Sequence, residues 1–252
     1  MLILNLKFIF TFAWYYGVKV IVRGPSYIIA SLVTPLTLLF VVYVLTQGAL
    51  VQYAVVGGMI TLIASIGLQS AGDATFMRLQ LRIQEMYVAS EVTPIDYMLS
   101  MTLSFLAFSI PGIVVYSFLG SYYHLYNIFT ALYMLFLIFI LILSTSAISF
   151  IISSLVNHVR NIWGITSILS IVMTVIPPTF YPYTYLLGKF GQNGLIYALS
   201  LSPATPAAVS AQIFFGLEPW NYNEFITMVI IMLIETIVYF AIAKYLTRWR
   251  EH

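Results

Sequence analysis

Apolar residues fill this chain in blocks of about 20, parted by short polar stretches, and that spacing predicts helices that cross a bilayer. A hydrocarbon core of roughly 30 Å needs about 20 apolar residues per helix. Blocks of this kind lie near residues 25–46, 53–72, 97–119, 128–155, 162–178 and 225–247. Gln47 to Gln52, Gly120 to Asn127 and Val156 to Asn161 read as short turns. The stretch from Pro177 to Glu224 is less regular and holds a further apolar run, residues 194–217, long enough to cross by itself.

Before the first block, Lys7, Thr11, Tyr15, Lys19 and Arg23 recur every four residues, with Leu4, Phe8, Phe12 and Tyr16 as an apolar side. This pattern predicts an in-plane interfacial helix over residues 1–24. It does not resemble a signal peptide, because Lys19 and Arg23 follow the apolar part.

Composition turns the pattern into a class. The chain is 62% hydrophobic and 7% charged, with a mean hydropathy of +1.00, too apolar to cover a soluble surface. It has no cysteine, which excludes disulfides and thiolate chemistry. The expected fold is an all-α polytopic membrane protein, one transmembrane domain over residues 1–252.

Charge then separates six crossings from seven. With six, Lys7, Lys19, Arg23, Arg78, Arg82, Arg160, Lys244, Arg248 and Arg250 lie inside and Lys189 alone outside. With seven, the last three move out, so the positive-inside rule favours six, with both termini cytoplasmic. The 194–217 run then enters and leaves on the outer side, and Pro203 and Pro206 break it into two halves. Tyr122, Tyr123, Tyr126, Tyr181, Tyr183, Tyr185, Trp220 and Tyr222 are expected as an outer aromatic belt, and Trp14, Trp163 and Trp249 near the inner surface.

One sizeable polar segment interrupts the blocks. Residues 73–96 hold Asp73, Arg78, Arg82, Glu85, Glu91 and Asp96, six charges among 10 basic and 8 acidic residues in the chain. At helical spacing Phe76, Leu79, Ile83 and Met86 share one face, and Thr75, Arg78, Arg82 and Glu85 another. Thr93-Pro94 is expected to stop this helix. By pattern alone it either floats at the headgroups or faces a partner.

The run Gln84-Glu85-Met86-Tyr87-Val88-Ala89-Ser90, followed by Thr93-Pro94-Ile95-Asp96-Tyr97, resembles the cytoplasmic loop between the second and third spans of ABC-2 type transporter permeases. Leu201-Ser202-Pro203 is similar to the family's loose Leu-x-Pro before the last span, where paired re-entrant helices occur. The layout of six spans, a surface helix in front and this polar loop resembles the family along nearly the whole chain. The resemblance implies an exporter subunit that pairs with a second permease copy and two copies of a separate ATP-binding cassette ATPase. ATP and Mg would sit on that partner, with no cofactor on this chain. It also implies ATPase-coupling contacts at Glu85, Met86, Ala89 and Ser90, with Arg78 and Arg82 as charged partners.

Residues suited to a transport path are few. Gly57, Thr61, Ser65 and Gln69 recur every four residues in the second block, and Thr166, Ser170 and Thr174 in the fifth. Ser146, Ser149 and Ser153 share one side of the fourth. Small and hydroxyl residues at this spacing let helices pack closely, or else line a polar path. Glu235 is the single carboxylate deep in a block, read as a packing group, a substrate-facing group or a proton carrier.

Other classes find little support. No Gly-x-x-x-x-Gly-Lys-Ser/Thr phosphate loop is present, and Gly188-Lys189 lacks the glycine spacing. No catalytic set falls at membrane depth, so the chain is not expected to be an enzyme. No metal site is expected, since His124 and His158 fall at opposite surfaces and His252 is terminal. Nucleic acid is not an expected partner. An ion-coupled secondary transporter, or a passive channel or scramblase-like protein, remains the alternative to an exporter of an amphipathic, lipid-like, drug or glycan cargo in the plasma membrane.

Overall fold

A computed structural model describes residues 4–24, 26–90, 92–190 and 194–247. Glu91, Arg248, Trp249, Arg250 and His252 lie outside the described residues, as does the side chain of Lys189. The described chain is helical throughout and contains no strand. It opens with α1 (Leu6–Phe12), a π-helical segment (Ala13–Val18) and α2 (Lys19–Arg23), followed by α3 (Ser26–Leu45) and α4 (Val51–Leu79). The short α5 (Ile83–Ala89) leads to α6 (Pro94–Tyr122), α7 (Ile128–Leu155) and α8 (Val159–Val175). Three short helices, α9 (Thr184–Phe190), α10 (Gly194–Leu199) and α11 (Ala204–Phe214), precede α12 (Tyr222–Leu246).

Four helices, α4, α6, α7 and α12, are long and apolar enough to cross a membrane. The first and fifth expected spans correspond to α3 and the 17-residue α8, which fall outside those four. The turns expected after α3, α6 and α7 are present. At the first, Gln47 and Gly48 take positive φ (51° and 84°), as a tight reversal requires.

α4 is the centre of the bundle. Its best 18-residue window is 89% buried, against 11% for α12. The difference follows from side-chain size: α4 carries Gly57, Gly58, Ala64, Ser65, Gly67, Ser70, Ala71 and Gly72, so other helices can approach its backbone. It packs against α3, α6, α7, α8 and α11. α12 is dense in Ile, Leu, Phe and Tyr, rests on α7 and α11, and turns Ile230, Ile234 and Ile237 outward.

Two local rules explain departures from the sequence reading. The polar segment 73–96 is not one helix. Its first seven residues are the end of α4, Arg82 turns the chain with φ 51°, and only Ile83–Ala89 forms a separate helix. Thr93-Pro94 does not end that helix but starts α6, with Pro94 in its first turn, where a missing N–H costs nothing. Likewise Pro203 marks the break between α10 and α11, whereas Pro206 lies in the first turn of α11.

The start of α6 is a joint. Asp96, 1% exposed, accepts hydrogen bonds from the Thr93 backbone N–H (3.1 Å) and hydroxyl (2.7 Å), while its own N–H donates to Thr93 Oγ1 (3.2 Å). Its other oxygen accepts from the backbone N–H of Asn5 (2.9 Å), the N-cap of α1. One carboxylate therefore caps α6 and pins the N-terminal helix to it. That helix lies along α6 with Ile9, Ala13 and Gly17 innermost and Phe8, Phe12 and Tyr16 beside them. The buried side is thus rotated from the one expected, and Leu4 stays exposed. Gly17 makes the approach feasible, because a Cβ there would lie 3.0 Å from the Ser104 backbone.

Asp96→Ala removes the cap and leaves three donors without their acceptor. A loss of about 2 kcal/mol is expected, read as a lower thermal midpoint in detergent, together with faster proteolysis within residues 5–24.

Candidate functional site

The seven residues of α5 present two unlike sides. Tyr87 turns inward, its ring 5.2 Å from Phe8, 6.1 Å from Phe12 and 5.7 Å from Tyr97. Burial pushes its hydroxyl above the ordinary tyrosine range. Glu85, Met86, Ala89 and Ser90 are exposed, Met86 by 65%. The Ser90 hydroxyl donates to the Met86 carbonyl (2.9 Å), which helps close the helix end. Arg82 is exposed beside them at the turn into α5. Five of the six residues expected to contact a partner thus lie together on an exposed rim.

Arg78 has a different place. Its guanidinium donates from Nη2 to the carbonyls of Ser153 (2.6 Å) and Val156 (2.7 Å), at the end of α7. Those carbonyls have no intrahelical donor, and a cation at a helix C-terminus also opposes the helix dipole. Two further hydroxyls lock the same helices: Ser149 donates to the carbonyls of Gly67 (2.7 Å) and Leu68 (2.8 Å), and Thr75 to Ser153 Oγ (3.0 Å). The α7 serines at 149 and 153 therefore hold α7 on α4, as the packing alternative anticipates.

The two polar stripes lie on helices that touch, α4 and α8. Thr61 is buried, and its hydroxyl has no hydrogen-bond partner among the described residues. Ser65 donates to the Leu62 carbonyl (3.0 Å), Thr166 to Ile162 (2.9 Å) and Thr174 to Ser170 (2.7 Å), all within their own helices. Ser170 is half-buried. Gln69 differs, being exposed into a cavity of about 390 Å³ lined also by Asp73, Tyr16 and Trp163. Glu235 does not join the stripes: it stands on α12, packed on α7 and α11, with Oε2 buried and unpaired among the described residues.

Residues to which the sequence analysis gave no role at the site complete the picture. Asp73 continues the stripe of Thr61, Ser65 and Gln69 by one more turn and accepts a hydrogen bond from Tyr16. That four-residue spacing was the available clue. Gln212 on α11 gathers the chain after α8, donating to the carbonyls of Pro178 (2.6 Å) and Tyr181 (3.0 Å) and accepting from Tyr183 N–H (2.9 Å). Tyr183, expected in an aromatic belt, is 3% exposed and donates to Glu224 (3.0 Å). Burial and that carboxylate raise its pKa.

Arg78→Ala should cost about 1.5–3 kcal/mol, since two carbonyls lose charge-assisted bonds. Arg78→Lys should recover part of this, and thermal unfolding in detergent separates the two variants.

No curated protein and no solved structure matches this chain. The family model for the ABC-2 type transporter matches residues 10–215, from the N-terminal helix to the end of α11. Permeases of this family work with an ATP-binding cassette ATPase, are not themselves ATPases, and carry the transport function in the membrane. With four long apolar helices around a small-residue core and a match over most of its length, the chain belongs to the ABC-2 type transporter family and is a multi-pass membrane permease.

Proposed function

We propose that the chain is the membrane subunit of an exporter that moves an amphipathic cargo outward, driven by a separate ATPase. Two copies of the chain would pair, each with one ATPase subunit carrying ATP and Mg. In this reading α3, α4, α6, α7, α8 and α12 make six crossings, both termini are cytoplasmic, and the N-terminal helix lies on the cytoplasmic face of the plasma membrane. The α9–α11 segment is then a re-entrant element on the outer side. The positive-inside arrangement supports this orientation.

The observation that carries the coupling assignment is the two-sided nature of α5. A seven-residue helix whose aromatic residue is packed inward, while Glu85, Met86, Ala89 and Ser90 face out, can take a push and pass it inward. The route is a ring ladder. Tyr87 touches Phe8 and Phe12, Phe12 touches Tyr16 (5.4 Å), and Tyr16 meets Phe108 of α6 (6.4 Å). Closure of the ATPase dimer would press on α5 and shift the N-terminal helix against α6. Arg82 joins the contact directly, whereas Arg78 acts by keeping α4 and α7 together under load. Thr61, Ser65, Gln69, Thr166, Ser170 and Thr174 would line the path when α4 and α8 part, the hydroxyls of Ser65, Thr166 and Thr174 already bonded within their own helices.

A second reading has one observation in its favour, the Oε2 of Glu235, buried and unpaired among the described residues. An ion-coupled carrier would use such a carboxylate. Proton-driven uptake in ATP-free vesicles, abolished by Glu235→Gln, would favour that reading over the exporter.

The direct test is co-purification of the tagged protein from its own host in mild detergent. A phosphate-loop ATPase is expected at equal stoichiometry. Glu85→Lys reverses a charge in the contact and should reduce both capture and export by about tenfold or more, with the permease level unchanged. Full export in that variant would remove the coupling assignment.

A further inference from the structure

The cavity beside Gln69 has walls of unusual chemistry for a transport stripe. The N-terminal helix, α4, α6 and α8 enclose about 390 Å³, within the range of small-molecule sites. Trp163 can close one side because Gly72 has no side chain: a Cβ there would lie 2.6 Å from the indole ring. Tyr16, Phe76, Phe108 and Trp163 supply ring surface, and Gln69 and Asp73 supply the polar atoms from successive turns of α4.

Asp73 sets the sign of the ligand. A carboxylate offers about four acceptor positions, and the Tyr16 hydroxyl fills one. Among the described residues no Lys or Arg forms an ion pair with it. Lys19, one turn beyond Tyr16, is instead folded over the Tyr15 ring, 4.0 Å from its centroid. A carboxylate drawn into an aromatic cavity without a cation is costly. An ammonium group would offset that cost, and the ring faces around it would add cation–π attraction. An anionic head would meet repulsion instead.

We propose that this cavity is a recognition site for the cationic head of an amphipathic molecule, held by the Asp73 carboxylate, the Gln69 amide and the rings of Tyr16, Phe76, Phe108 and Trp163. The inference deepens the exporter reading and rests on it for the meaning of the site, since it gives the cargo a charge and an entry point. A head at Asp73 lies one turn from Gln69, where the stripe of Ser65 and Thr61 begins. Tyr16 belongs to the same helix as Phe8 and Phe12, which pack on Tyr87, so the drive acting on α5 also reaches a wall of the site. The cation can come from a soluble amphipath or from a lipid with an ammonium headgroup.

The test uses the full chain in nanodiscs of phosphatidylglycerol, which carries no ammonium. Binding of radiolabelled tetraphenylphosphonium is measured by equilibrium dialysis, with empty discs subtracted. Saturable binding is expected, whereas tetraphenylborate, of the same shape and opposite charge, should show none. Asp73→Asn should weaken phosphonium binding at least about tenfold, and Asp73→Glu, which keeps the charge, should retain most of it. Equal binding of the borate, or undiminished binding in Asp73→Asn, overturns the proposal. If Asp73→Asn does not elute as a folded species, Gln69→Leu and Phe108→Ala take its place, and undiminished phosphonium binding in both is the overturning result. Displacement by phosphatidylcholine added to the discs identifies a lipid source and its absence a soluble one; both support the site. No ATPase is present in the assay, so failure here leaves the coupling assignment intact, and failure of co-purification leaves this result intact.

Discussion

Close approach to the backbone of α4 is the constraint on which this structure depends. In a bilayer, apolar side chains gain little by leaving lipid for protein, so helices associate where small residues let main chains and hydroxyls meet. α4 concentrates glycine, alanine and serine, and other helices therefore gather around it. Helices with bulky surfaces, α12 above all, occupy the periphery. The hydroxyls of Ser149 and Thr75 become interhelical bonds because the backbones are near enough for a short side chain to reach across.

Polar side chains then decide how the ends of the helices are joined. At the end of the bundle that carries α5, Arg78 satisfies the last carbonyls of α7 and Asp96 satisfies the first donors of α6 while holding Asn5. At the other end, Gln212 gathers three backbone groups of the segment after α8. Each is a buried or half-buried group with its partners supplied mainly by backbone, the condition under which such residues stabilise a fold. Between the end joints runs a set of packed rings from α5 through the N-terminal helix to α6.

In the proposed reading, function is divided along the same lines. The exposed rim of α5 suits contact with a soluble partner, the rings suit transmission, and the cavity at Asp73 suits capture of cargo. The π-helical segment of Ala13–Val18 contains Tyr16 and Gly17, the residues that meet Asp73 and the α6 backbone. Such irregular turns commonly sit at functional positions.

Much of the helical layout was legible in the sequence, because apolar blocks and turn residues are local properties. The chain's apolar excess alone required helices that satisfy their own backbone in lipid, and the run from Gln84 to Tyr97 already pointed to the family. The extent of each helix was less legible: α4 continues past Asp73 because its far end is packed, with Ala74, Thr75 and Met77 buried, which no local spacing of charges records. Thr93-Pro94 could be read as a stop or a start, and the carboxylate of Asp96 made it a start. Arg78 looked like a surface charge until α7 ended beside it. Asp73 became part of a site only when the N-terminal helix, through Gly17, came close enough to bring Tyr16 to it. By itself the sequence determined that the chain forms apolar helices and roughly where they turn, since hydropathy and turn chemistry act between near neighbours. Which helix is central, which charges are joints and which line a cavity was decided by tertiary structure, because those properties depend on contacts between residues far apart in the chain.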